Sequence, residues 1–578
     1  MGMSETHFDA VIVGSGFGGS VMTYRLAKEG LRVCLLERGK PYPPTSFPRS
    51  PLAMKKNFWN PSEGLYGMYN VWSFQGINSI VSSGLGGGSL IYANVLLRKD
   101  EKWFVKEDLQ HGGYEYWPVT RADLEPHYDR VEAMLNAQTY PFDKVPYNAT
   151  SKTRALQKAA AQLGLEKNWF LPKLAVTFKN GDDEPVPGEP IREEPNLHGH
   201  TRYTCRLCGE CDIGCNYGSK NSLDYNYLSQ AKLKYGADIR TCCEVRSFEP
   251  EDHGGYRIHY VVHDPATYEG QSQQTHDQAV LPLHTITADR LILAAGTFGT
   301  TYLLLKNRAA FPRISKLLGS RFSGNGDLIN FAVRCRDEQS GKREPLIIDG
   351  GHGPVITCAI RFADHQDGVA DPQARGFYIE DAGYPEFVNW MLQVFDAPDE
   401  IAHTIHVAEH LLEAWVRGRP ETNLSRYVSQ VFGSCDLSAC LLPILGMGRD
   451  IPNGNMRLNG DMLELDWTKS KSSHYFNALR QAMECIAKQL GATFVDDPIW
   501  YLNRVITVHP LGGCPMGRNK EEGVVDAGGQ VFGYEGLYIA DGSVMPGPVG
   551  ANPSLTIAAL ADRFADGILE KRKERSGE

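Results

Sequence analysis

The hydrophobic pattern is sharpest in the first forty residues. Val11-Ile12-Val13 is an unbroken apolar run, the pattern of a strand covered on both faces. Residues 18–29 follow as a helix carrying Val21, Leu26 and Ala27, and Gly30 supplies its stop. Residues 32–36 read as a second buried strand. Strand, helix and strand in that order predict the start of a parallel, doubly wound sheet.

Farther along, ordered and irregular stretches alternate. Residues 41–70 are rich in Pro, Ser, Asn and Tyr and carry no period, as expected of a loop. The apolar run at 90–97 follows a glycine cluster, which predicts an ordered, buried loop rather than a flexible linker. Residues 121–135 predict an amphipathic surface helix with Pro126 near its first turn, residues 140–200 irregular excursions, and residues 222–233 another helix. Strand-like segments alternate over 240–300 around a polar insertion at 270–277. They close on an apolar strand from Arg290, a glycine-containing turn, and a helix at 301–306.

Residues 330–500 read as a second domain with strand-like runs at 354–362 and 441–445. Between those runs, residues 386–417 carry Phe387, Trp390, Met391, Val394 and Phe395, then Leu411, Leu412 and Trp415, at helical spacing broken by Pro398. The insert fits two packed helices or a flap touching a membrane surface, and its acidic balance weighs against the flap.

Totals narrow the options. At 578 residues the chain exceeds one compact core and is expected to form two to four domains. A net charge of −10 with no basic run argues against nucleic acid as a partner. No window approaches 18 apolar residues, and the first strand begins too early for a signal peptide. The expected location is cytoplasmic, with the thirteen cysteines kept out of disulfides.

Chemistry enters with the glycines. Gly14, Gly16 and Gly19 form G-x-G-x-x-G between the first strand and its helix. They provide a tight turn, an approach for a pyrophosphate and close helix packing. The helix N-terminus directs free N–H groups at the phosphates. Glu37 ends the second strand, 23 positions after Gly14, where a carboxylate accepts from ribose hydroxyls and repels a 2′-phosphate. The dinucleotide is thus FAD or NAD rather than NADP. Four glycines in five positions, Gly84, Gly86, Gly87 and Gly88, bring a second stretch of backbone against something flat or anionic.

Three distant segments then converge. The N-terminal fingerprint, the loop over 84–94, and the tail motifs His509-Pro-Leu-Gly-Gly-Cys514, Asp541-Gly-Ser and Gly550-Ala-Asn552-Pro553 together resemble the glucose–methanol–choline (GMC) oxidoreductases, within them the bacterial cholesterol-oxidase-like branch. The resemblance spans the whole chain. It implies an α/β fold: a discontinuous Rossmann-type FAD-binding domain over 1–100, 222–330 and 500–578, and a substrate domain with a mostly antiparallel sheet and helices over 101–221 and 331–499. It implies FAD, with Gly14, Gly16, Gly19 and Glu37 at its ADP part, Gly86, Gly87, Gly88 and Asn94 along the pyrophosphate and flavin ring, and Asp541 by the ribityl chain. It places His509 and Asn552 over the flavin, facing a small hydrophobic alcohol, sterols among them.

That chemistry needs these residue types. Hydride moves from the carbinol carbon to the flavin while the hydroxyl loses a proton, and the cofactor carries the hard step. A histidine accepts or stabilises the proton, and an asparagine amide holds the oxygen. The plainer roles are a strand-end histidine bonded to backbone and an asparagine that starts a turn. Steroid-oxidising members of the family also use a glutamate to shuttle a proton as a double bond migrates. The matching position falls near Leu437-Ser438, where there is none. Glu380, after an apolar strand, is the candidate replacement, with a solvated strand-end carboxylate as the alternative. Isomerisation is left open.

Cys205, Cys208, Cys211 and Cys215 give C-x2-C-x2-C-x3-C, the spacing of ferredoxin loops without the proline that usually follows. Cys205, Cys211 and Cys215 also reproduce the C-x5-C-x3-C of iron–sulfur sugar dehydrogenases in the same superfamily. The expectation is an iron–sulfur cluster, 3Fe–4S or 4Fe–4S, passing single electrons to an external acceptor. A zinc site and metal-free thiols stay open. Without a cluster, O2 is the acceptor and H2O2 the product. A lyase or isomerase that merely retains FAD, and a flavin-binding structural protein, are the readings from other classes.

Overall fold

The computed structural model describes residues 6–268, 281–337, 344–385 and 439–576. Its first sheet grows from the N-terminal strand–helix–strand unit. Thr6–Val13 pairs in parallel with Val33–Leu36 on one side and Leu283–Leu293 on the other, and Asp238–Arg240 extends the parallel edge. Beyond Leu283–Leu293 come Tyr256–Val262 and Cys243–Pro250, both antiparallel. Leu537–Ile539 replaces Tyr256–Val262 along the last residues of Leu283–Leu293 and restores parallel pairing, making seven strands.

The register decides what this sheet presents. Val13 lies opposite both Leu36 and Leu293, and Leu293 lies opposite Ile539. Four parallel strands therefore end at one level. The residues that follow them, Gly14, Glu37, Ala294 to Gly296, and Ala540 with Asp541, meet at one edge, where open α/β sheets bind ligands.

The crossover helix Phe17–Lys28 is buried along most of its length, because the C-terminal helix Ser554–Ser576 covers the face turned away from the sheet. Arg121–Met134 packs on that same C-terminal helix. Tyr128 Oη shares a hydrogen bond with Thr556, and Leu124, Tyr128 and Val131 join the core that holds Val11 and Val21. Residues 101–221 were expected wholly in the substrate domain. This helix departs from that expectation because its apolar face is buried against the first sheet's helices.

The second sheet is antiparallel throughout. Its order is Trp169–Phe170, Ala359–Phe362, Phe377–Asp381, Leu442–Gly448, Leu328–Val333 and Thr493–Asp496. Period-two alternation splits Leu328–Val333 between two environments. Leu328, Asn330 and Ala332 are buried on the side of the helix Ser473–Gln489, while Ile329 and Phe331 face a cavity. A domain boundary at 330 would cut this strand, all of which belongs to the second sheet. The strand expected over 354–362 is only Ala359–Phe362. Thr357 and Cys358 instead donate their N–H groups to Asp381 Oδ1 at 2.8 and 2.9 Å, leaving the ladder.

The helix expected over 222–233 starts later, as Tyr227–Leu233. The insert at 386–417, the Leu437-Ser438 position and the polar stretch at 270–277 lie outside the described residues. Among the described residues no helix is long and apolar enough to cross a membrane.

Candidate active site

A cavity of about 1060 Å³ is lined from both sheets. One part of its wall is the parallel-strand edge: Gly14, Gly16, Glu37, Gly87, Gly88, Gly296 and Asp541. Gly16 stands immediately before the helix Phe17–Lys28, and a Cβ there would meet nothing within 4 Å, so the helix N-terminus is open to a ligand. Gly19 does not line the cavity. A Cβ there would lie 1.9 Å from Gly14 O, so this glycine serves helix packing. Gly87 has φ +54°, and its Cβ would lie 2.6 Å from Gly16 Cα: the two glycine loops touch.

Glu37 is buried, and burial pushes its carboxyl up. It accepts from Ser15 N at 2.9 Å, Ser15 Oγ at 2.6 Å and Gly39 N at 2.8 Å, so it holds the first glycine loop as well as facing the cavity. Asp541 accepts from Gly296 N at 2.9 Å and Ser543 N at 2.8 Å, and so ties two strand ends together. Gly86 and Asn94 depart from their expected places along the ligand. Neither lines the cavity. Gly86 donates its N–H to Ser15 Oγ at 3.0 Å. Asn94 is fully buried, its carboxamide without an oxygen or nitrogen partner and beside the Cys211 thiol. Open space at a helix N-terminus, a strand-end carboxylate and closely apposed glycine backbones fit a dinucleotide of FAD type.

The remaining wall is largely apolar, with Ile329, Phe331, Val355, Leu441, Pro443 and Leu445, and it carries His509 and Asn552. Val505–Thr507 pairs in parallel with Ile77–Ser82 and delivers His509 two residues on. The His509 ring is not bonded to backbone. Its Nδ1 lies 2.9 Å from Asp327 Oδ1, and Nε2 has no partner among the described residues. Asn552 Oδ1 is buried and unpartnered, while Nδ2 donates to Glu380 Oε2 at 3.4 Å. An unpaired buried amide oxygen costs about 1–3 kcal/mol unless a ligand satisfies it.

Glu380 is fully buried, so the solvated strand-end reading does not hold. It lies opposite Leu445, which lies opposite Ile329; those two line the cavity, and Glu380 stands behind the wall on the same sheet face, in contact with Asn552 rather than lining the cavity itself. Burial, offset by the Asn552 hydrogen bond, pushes its carboxyl up to about 8, and Oε1 has no partner.

All four cysteines of the 205–215 run line one small void of about 20 Å³ with Lys220, Gly353 and Pro354, and all are free. Burial pushes the Cys205, Cys208 and Cys211 thiols up. A four-thiolate zinc at about 2.3 Å from each sulfur needs sulfurs about 3.8 Å apart. No three of these sulfurs lie within 4.8 Å of one another, so the arrangement does not fit zinc.

Three polar residues escaped the sequence. Asp327 holds His509; its only local sign is the turn Gly324-Asn325-Gly326 before an apolar strand. Lys220 Nζ donates to Leu90 O, Tyr92 O and Cys211 O at 3.0, 2.9 and 2.7 Å, joining the cysteine run to the second glycine loop. Burial lowers Lys220 to about 8. Asp212, between the cysteines, lines the large cavity with Oδ1 buried and unpartnered, and burial raises it to about 6.

Residues 12–41 match the family described as an NAD(P)-binding Rossmann-like domain. Fold and site together define an FAD-dependent alcohol oxidoreductase. Residues 462–561 match the family described as GMC oxidoreductase. The chain is 29% identical over 574 residues to a cholesterol oxidase of Mycobacterium tuberculosis, covering 96% of this chain and 90% of that one. It is 26% identical over 580 residues to a cholesterol oxidase of Acinetobacter baumannii, covering 97% and 94%. A solved formate oxidase of Aspergillus oryzae superposes with a TM-score of 0.59 over 99% of this chain and 100% of its own, at 13% identity, a likeness of fold alone. These matches support the resemblance to the GMC oxidoreductases and to their cholesterol-oxidase-like branch.

Proposed function

We propose that the protein oxidises the CH–OH group of a hydrophobic alcohol, sterols within its range, at the junction of the apolar wall and the glycine cradle. The observation that carries this reading is a single cavity lined by Gly16, Glu37, Asp541, His509, Asn552 and an apolar sheet face. Similarity to cholesterol oxidases over nearly the whole chain supports the substrate class. FAD, when bound, supplies the hydride acceptor. Gly14, Gly16, Gly87, Gly88 and Glu37 would hold it, with Gly19, Gly86 and Asn94 supporting those loops from behind and Asp541 fixing the strand ends.

His509 accepts the substrate's hydroxyl proton at Nε2, the ring nitrogen without a protein partner. Asn552 orients the oxygen by donating the Nδ2 hydrogen that Glu380 does not take. Glu380, neutral below pH 8 or so by its burial, holds a proton beside Asn552 and is placed to move one on and off a substrate carbon if the double bond shifts. Anaerobic stopped-flow reduction of the FAD-loaded protein by cholesterol and by 1-decanol tests the reading. Bleaching of the flavin supports it. A flavin that no alcohol in a broad panel reduces favours a non-redox lyase or isomerase.

The acceptor of the electrons has two readings. In one, O2 takes them and H2O2 is released, as the names of the oxidase relatives suggest. In the other, an iron–sulfur cluster on Cys205, Cys208, Cys211 and Cys215 relays them to an external acceptor. Four free thiols line one void, but with room for about one water it does not hold a cluster, which favours the first reading. Iron and acid-labile sulfide measured on anaerobically purified protein decide: stoichiometric iron supports the relay, and none leaves O2.

A further inference from the structure

The two tail residues assigned to the hydroxyl, His509 and Asn552, are both tied to one five-residue stretch, Ser323-Gly324-Asn325-Gly326-Asp327. Asp327 Oδ1 takes His509 Nδ1 at 2.9 Å, and Oδ2 takes Val508 N and Thr507 Oγ1, each at 2.9 Å. Two residues earlier, Asn325 grips the backbone before Asn552. Its Oδ1 accepts from Gly550 N at 2.9 Å, and its Nδ2 donates to Ala551 O at 3.0 Å. Asn325 and Asp327 are both buried.

The stretch is itself anchored to the second sheet and its helix. Gly324 N donates to Asp450 Oδ2 at 3.1 Å, Gly448 N to Asn325 O at 2.9 Å, and Tyr475 Oη to Gly326 O at 2.8 Å. Asn325 has φ +54°, so its side chain leaves the backbone in a direction an extended residue could not offer.

We propose that Asp327 and Asn325 are positioning residues that set His509 and Asn552 relative to each other from a single loop of the substrate-side sheet. This rests on the roles assigned to His509 and Asn552 above. A carboxylate has only acceptors to offer, so Asp327 keeps the His509 proton on Nδ1 and leaves Nε2 bare toward the cavity. Asn325, pairing with both a donor and an acceptor of the 550–551 backbone, fixes where the Asn552 carboxamide begins.

Ring-15N histidine spectra of the FAD-loaded enzyme test the first arm without any substrate, with His509 assigned by its loss in His509→Gln. At alkaline pH the neutral ring is expected to be protonated at Nδ1; a proton on Nε2 instead overturns the proposal. Asp327→Asn can face its oxygen to His509 or to Val508 and Thr507, not to both. Its expected result is a mixed tautomer and about 100-fold slower flavin reduction by cholesterol or 1-decanol, with FAD affinity unchanged. Asn325→Gly keeps the positive φ but loses both the donor to Ala551 O and the acceptor for Gly550 N, and is expected to speed hydrogen exchange at Gly550 and slow reduction by about 10-fold or more. Wild-type reduction rates in both variants overturn the proposal while His509→Ala stays slow. A wild-type rate in His509→Ala overturns instead the site reading beneath it.

Discussion

Asn552 Nδ2 donates to Glu380 Oε2 at 3.4 Å, and Asn552 Oδ1 and Glu380 Oε1 are both buried without a partner. Two buried polar groups that share one weak hydrogen bond and leave two oxygens unpartnered are arranged for a third participant. A substrate hydroxyl meeting Asn552 is that participant in the proposed reaction.

The burial of Glu380 has a thermodynamic consequence. Its carboxyl is raised to about 8 in the folded protein by desolvation, against about 4.3 for a free glutamate. The native state therefore binds this proton more tightly than the unfolded chain. Its stabilising contribution is complete below the free value and is lost as pH rises through the folded value. Glu380→Gln has no proton to lose. The difference in Tm between variant and wild type, followed from about pH 5 to 9, is expected to move steadily in favour of the variant. A constant difference would place Glu380 in a more polar setting than its burial indicates.

Product analysis separates oxidation from isomerisation. With a 3-hydroxy-5-ene sterol as probe, Glu380→Gln is expected to reduce the flavin yet release the unconjugated ketone. The wild type is expected to release the conjugated one. Ultraviolet absorbance of the enone reads the outcome directly, and equal enone yield from both proteins would remove Glu380 from proton transfer.

His509→Ala removes the one imidazole that lines the cavity among the described residues. Flavin reduction is expected to slow by roughly 10²–10⁴-fold, the usual worth of a positioned acid–base group, with the flavin still bound. Stopped-flow absorbance measures the rate and the bound flavin in one experiment.

Glu37→Ala strips the acceptor from Ser15 N and Gly39 N, both in the cradle. Each buried N–H left unsatisfied costs about 1–3 kcal/mol. The apoprotein is expected to melt lower and to bind FAD more weakly, so the loss exceeds that of ribose contacts alone. Calorimetry on apo and FAD-loaded protein separates the two effects.

Gly87→Ala is expected to abolish FAD retention. Its methyl would fall 2.6 Å from Gly16 Cα, backbone against backbone, at a φ of +54° that L residues rarely adopt. The two loops must part, and flavin content per mole of purified protein reports it.

Much of this site could be read from residues in order. G-x-G-x-x-G, the apolar strands beside it and Glu37 lie within about thirty residues. Their chemistry is local: a backbone turn, a helix start and a strand end. The tail motifs located His509, Asn552 and Asp541 by resemblance, and all three line the cavity. Gly86 and Asn94 went astray because a glycine-rich run does not say which of its peptide groups face the ligand. Arg121–Met134 was recognised as a helix to within a residue of its end, but not placed. Its partner is the helix Ser554–Ser576, more than four hundred positions away.

The sequence by itself determined the glycine cradle, the family resemblance and which two tail residues to look for, because each is written in consecutive residues whose spacing the backbone enforces. Tertiary structure alone decided that Asp327 holds His509 across 182 positions and that Glu380 meets Asn552 across 172. It also closed four thiols around a water-sized void. A buried side chain's partner depends on which strands lie side by side and in what register, and no period along a single strand encodes its neighbour's.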